Sequence, residues 1–204
     1  MKIELTDALL NAIDYRLVDL HTALPAIVQK YYPDTQVADV QPAIKKKYNL
    51  GGEEQILDMP VITGVPVVFP SAKNSCLVFP IEQGDSVLLV FSERSMERWL
   101  SSGGVTEGGI NRKFDLTDAI AIVGLHSFNN PNVVDANTLT LQHKQAKIKL
   151  TNSNKISIGN EQLELLDWLN RLVTEIKAIT VDGSPIENIA AFTDLQTELS
   201  GLKV

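Results

Sequence analysis

The stretch TLTLQHKQAKIKLTNSNKISI, residues 138–158, most constrains what this chain can fold into. Apolar and polar residues alternate through Leu139, Leu141, Ile148, Leu150, Ile156 and Ile158, the period of a half-buried strand. Asn152-Ser-Asn154 is a turn signal between two of the strands, and Leu139, Ile148 and Ile156 recur at intervals of nine and eight residues. A ribbon of such short strands is too small to bury its own apolar edge. It needs neighbouring repeats or further copies of itself.

The surrounding chain divides into segments. Residues 1–34 are expected to be an N-terminal helical segment. Leu9, Leu10, Ile13, Leu17, Leu20, Leu24, Ile27 and Val28 recur at three- and four-residue steps from an N-cap at Thr6, with a kink at Pro25 and a stop at Pro33. Residues 35–130 read as β, with short strands at Thr35–Ile44, Val61–Phe69, Cys76–Phe79, Val87–Phe91 and Ala119–Leu125. Glycines and prolines punctuate them, and no crossover helix separates them. About five such strands suggest a small Greek-key barrel of the OB type. The ribbon occupies residues 131–160. Residues 161–204 carry amphipathic helices: Leu166, Leu169, Val173 and Ile176 lie in a broad apolar stripe from Glu161 to Thr180, and a second helix runs from Ile186 to Leu202 beyond a turn at Asp182–Pro185. The helices form either a hairpin or, through the first of them, a seam with two symmetry mates.

Charge and chemistry narrow the function. The net charge of −7 gives no general attraction to phosphate backbones, so nucleic acid is not an expected partner. Cys76, the only cysteine, permits no intrachain disulfide and no cysteine-built zinc site; its apolar surroundings suggest a buried, inert thiol. The N-terminus lacks a signal-peptide core, and no apolar run is long enough to cross a bilayer, so synthesis in the cytoplasm is expected. Ser92, Glu93, Arg94 and Ser95 offer the residue types of a nucleophile with an acid and a base, but no Gly-x-Ser-x-Gly and no sequence-adjacent histidine accompany them. A structural role is expected instead: Ser92 capping a helical turn, Glu93 pairing with Arg94, and Trp99 anchored on the barrel. Lys45-Lys-Lys47 reads as a solvated loop. Asp115 and Asp118 suit turn and cap chemistry better than a metal pair. Gly103-Gly104 and Gly108-Gly109 flank a loop without the Lys-Ser/Thr of a phosphate-binding loop. No enzyme, cofactor or metal is expected.

Three stretches taken in order, PVVFP (66–70), FPIEQGDSVLLVFSERSMERWLSSGG (79–104, with Gly84, Asp85, Glu93, Arg94 and Trp99) and RKFDLTDAIAIVGL (112–125, with Asp115 and Asp118), resemble the N-terminal OB-fold domain of the central spike proteins of contractile-tailed bacteriophages. The resemblance implies a mainly β fold with helical ends: an OB-fold barrel, then a short intertwined trimeric β-helix or β-prism, then C-terminal helices. It implies a homotrimeric structural protein of the virion, assembled in the host cytoplasm. Such a protein joins tail-tube and baseplate hub proteins to the distal tip and touches the host envelope indirectly. Spikes of that family end in a long β-helix whose tip binds iron through His-x-His. This chain has a short ribbon and isolated His21, His126 and His143, so a separate tip protein would do the piercing. In such a trimer Leu139, Leu141, Ile148, Leu150, Ile156 and Ile158 fill the axis and Lys144, Lys147, Lys149 and Lys155 face solvent. Leu166, Leu169, Val173 and Ile176 bury a helical seam. The alternative is a monomeric OB-fold module for single-stranded nucleic acid; a cell-wall lytic enzyme would need paired carboxylates not found here.

Overall fold

A computed structural model of the chain describes residues 5–18, 20–50, 53–107, 111–132, 135–185 and 188–202. The chain divides into two compact units, Met1–Pro131 and Asn132–Val204.

The first unit opens with helix α1 (Leu5–Val18) and continues into strands β1 (Ala23–Tyr32), β2 (Val37–Pro42), β3 (Lys46–Leu50), β4 (Glu53–Leu57), β5 (Ile62–Val68), β6 (Ser71–Ala72), β7 (Ser75–Cys76) and β8 (Ser86–Phe91). Helix α2 (Glu97–Ser102) and a 3-10 turn (Leu116–Asp118) precede strand β9 (Ala119–Val123). Five strands close a barrel in the order β1-β2-β5-β9-β8 and back to β1; every pairing is antiparallel except β5 with β9. Side chains alternate across β2 and β8, so Ala38 and Val40 meet Val87, Leu89 and Phe91 inside. Ala26, Val28, Ile62, Val65, Val67, Phe69, Ala119 and Ala121 complete the core. β3 and β4 form a hairpin between β2 and β5, and β6 and β7 form another after β5.

The N-terminal helix is shorter than its periodicity implies. α1 stops at Val18 and contains Thr6 rather than being capped by it, and residues 23–32 form the first barrel strand. The same apolar spacing serves both, because Leu24, Ala26 and Val28 alternate inward on the core. Pro25 fits the strand because β2's ladder ends opposite Ala26, where no donor is needed from residue 25; its carbonyl accepts from Ala43 N at 2.8 Å. The barrel therefore begins near residue 23, not 35. The strand expected at Cys76–Phe79 shrinks to Ser75–Cys76, and Cys76 is exposed rather than buried. Lys46 and Lys47 lie in β3, not in a loop.

The second unit holds β10 (Thr138–His143), β11 (Ala146–Thr151) and β12 (Ile156–Gly159) in one antiparallel sheet, then α3 (Leu165–Lys177), a small hairpin of β13 (Thr180–Val181) and β14 (Ser184–Pro185), and α4 (Ile189–Leu202). The start expected for α4 at Ile186 lies outside the described residues. No described residue after Pro131 is buried.

Candidate functional site

In the ribbon, register decides what each residue faces. Leu139 stands opposite Leu150, and Leu150 opposite Ile156; Leu141 stands opposite Ile148, and Ile148 opposite Ile158. Directly opposed residues share a face, and residues two apart along a strand share it too. The six apolar residues therefore form one patch, two rows of three. Thr140, Lys149 and Ser157 form a row on the reverse face, with Gln142 and Lys147 beside it.

Exposure along β11 runs opposite to that of a solitary sheet in water. Ile148 and Leu150 are 40% and 43% exposed, whereas Lys147 and Lys149 on the reverse face are less so. The prediction that these two lysines face solvent therefore holds only in part. Leu139 is 70% exposed and Leu141 52%. On β11 the apolar side is more open than the polar one, as on a surface built to be covered.

The joint between sheet and helix is tightly made. Glu164 caps α3 by accepting from Asp167 N at 2.8 Å, and its other oxygen accepts from Ile158 N at 3.0 Å, tying β12 to the helix. Gly159 bridges to Glu164, and a Cβ there would strike the Leu163 carbonyl oxygen and come within 2.8 Å of Glu164 Cα. Only glycine fits.

α3 and α4 form a hairpin. Gln196 donates to Thr174 Oγ1 at 2.8 Å and accepts from Lys177 Nζ at 3.0 Å, on the side of α3 that carries Leu166 and Val173. Leu166, Leu169, Val173 and Ile176 are half-buried. The stripe left open on α3 is its neighbour: Leu165, Trp168 and Leu172 are each more than 40% exposed.

The charged cluster after β8 is a brace. Asp118, 3% exposed, accepts from Arg112 Nε at 3.0 Å through Oδ2, and from Met96 N at 3.0 Å and Arg112 Nη2 at 3.3 Å through Oδ1. Arg112 Nη2 also donates to Ser95 Oγ at 3.0 Å. Hydrogen bonding to Asp118 raises the Arg112 pKa further above its usual value. Together these contacts pin both ends of the long connection between β8 and β9. Glu93 and Arg94 contact each other at 3.4 Å but are both well exposed, so they contribute little. Ser92 Oγ accepts from Arg94 N in a turn rather than capping α2, whose N-cap is Met96. Trp99 is 53% exposed on α2, not anchored on the barrel. Sequence reasoning missed Arg112; the available signal was an arginine six residues before an aspartate that leads into the apolar run Ala119–Val123.

Asp115 caps the 3-10 turn, accepting from Thr117 N at 2.9 Å and Thr117 Oγ1 at 2.6 Å. The Thr117 hydroxyl, then its N–H, holds the Asp115 carboxyl below the usual range. Gly84, at φ 98°, turns the chain into β8, with Asp85 Oδ2 accepting from Glu82 N at 2.8 Å. Gly84 N and Asp85 O bond Val28, holding that turn against β1. A cleft of about 550 Å³ opens beside the 3-10 turn, lined by His21, Lys46, Pro60, Ile62, Asp115 and Thr117 among others. Among the described residues no cluster of histidine, cysteine or carboxylate side chains could hold a metal ion. The Gly108-Gly109 half of the glycine loop lies outside the described residues. Among the described residues no helix is long and apolar enough to cross a membrane.

Residues 24–124, nearly the span from β1 to β9, match the family described as the phage protein Gp138 N-terminal domain. The match supports a structural protein of a bacteriophage. No curated protein matches the chain.

Proposed function

We propose that this chain is the homotrimeric spike or hub subunit of a contractile phage tail baseplate, joining tube and hub proteins to a distal tip. Its work is mechanical rather than catalytic, and it needs no cofactor. The observation that carries the reading is the six-residue apolar patch on an open sheet face, in a unit without one buried residue among those described. A unit of that size needs a core to be stable, and burying the patch between copies supplies one. Three sheets set around an axis, each turning Leu139, Leu141, Ile148, Leu150, Ile156 and Ile158 inward, would make a short β-prism. The strands pair within the chain, so the copies would pack against one another rather than interweave.

Area supports the same reading. Large apolar side chains half open to water offer on the order of 100 Å² each. The patch together with Leu165, Trp168 and Leu172 then offers on the order of 900 Å² per chain, the size of a stable interface. The barrel's strand order, with its third strand parallel to its fifth, supports reading it as an OB-fold. The acidic net charge weighs against the single-strand-binding alternative.

Leu150→Asp tests the reading. Three carboxylates around an apolar axis would carry a large desolvation cost. Native mass spectrometry should find the variant monomeric with its barrel folded. An intact trimer of the variant would remove the patch from the axis.

A further inference from the structure

We infer that α1 is a second trimer contact, a short parallel three-stranded coiled coil; this rests on the homotrimer proposed above. Every described side chain from Leu5 to Leu17 is exposed. A lone helix of fourteen residues is marginal in water, and this one holds Leu9, Leu10, Ile13 and Leu17 each more than half open. Within the described residues the chain gives that stripe no cover.

The spacing identifies the cover. Thr6, Leu10, Ile13 and Leu17 follow the alternating four- and three-residue steps of heptad positions d, a, d, a. Leucine at a with isoleucine at d favours three or four parallel strands over two. Leu9 falls at g, which widens the stripe beyond the narrow seam of a two-stranded coil. Asn11 at b and Tyr15 at f lie away from it, and Asp7, Asp14 and Arg16 take the flanks at e and g. Three copies of one helix packed about the three-fold axis of a homotrimer run parallel, the arrangement this pattern requires.

Size sets its role. Four half-open side chains offer on the order of 400 Å² per helix, about half of what a stable interface buries. The coil cannot hold the trimer alone; it adds to the contact that the ribbon makes.

Cysteine cross-linking of the full-length protein tests this. With Cys76→Ser removing the native thiol, Ile13→Cys should give interchain disulfides under mild oxidation, and Asn11→Cys should give at least tenfold less. Native mass, measured on each reduced protein, reports the trimer independently. A trimer that cross-links no better at 13 than at 11 would overturn the coil while leaving the trimer standing. A monomer without cross-links would overturn the trimer itself. As a second reading, Leu10→Asp with Leu17→Asp should leave the mass trimeric but speed amide exchange across residues 5–18 at least tenfold. Unchanged exchange would contradict the inference.

Discussion

Asp118 is held by a guanidinium and a buried backbone N–H, and the cost of losing it follows from those partners. Asp118→Ala leaves Met96 N without an acceptor, which costs about 1–3 kcal/mol. Differential scanning calorimetry should show the barrel melting several degrees lower, with faster proteolysis between residues 92 and 118; an unchanged melt would contradict the brace. Asp115 makes a pH prediction. Its folded pKa lies below its usual value, so its contribution is present at neutral pH down to about pH 4 and lost as pH falls through the lower folded value. Thr117→Val removes the larger cause, so the Asp115 carboxyl should titrate closer to 3.8 in an NMR titration. No upward movement would mean that the hydroxyl is not responsible. At Gly159 the prediction is steric: Gly159→Ala should destabilise the second unit by about 1–3 kcal/mol and speed amide exchange at Ile158 and Asp167, the two donors to Glu164.

Among the elements, the ribbon was the most legible in the sequence. Strict alternation around Asn152-Ser-Asn154 placed β11 and β12, and the register then put all six named residues on one face. β1 was the least legible. Leu20, Leu24, Ile27 and Val28 satisfy a helical period and Leu24, Ala26 and Val28 a strand period, and only closure of the barrel chooses between them. The expected helical seam depended on something a stripe cannot show: α4 takes one side of α3, leaving Leu165, Trp168 and Leu172 open. That face gives a spectroscopic prediction. In the assembled protein Trp168 should be shielded, so its emission should shift several nanometres to the red in the Leu150→Asp variant, with Trp168→Phe identifying its share. Emission already at the solvent-exposed limit in the wild type would show that α3's open face stays wet.

For the whole molecule the contrast between the units matters most. The barrel carries its own core and matches a phage domain family from its first strand to its last. The second unit carries an apolar face, an apolar helix stripe and no buried residue among those described. On the function proposed above, further copies of the chain supply what the second unit lacks. Light scattering on the purified wild-type protein at micromolar concentration tests this most directly. A homotrimer gives a particle of three times the 22.4 kDa chain mass. A well-folded particle of one chain mass, with the second unit's amides protected, would contradict it.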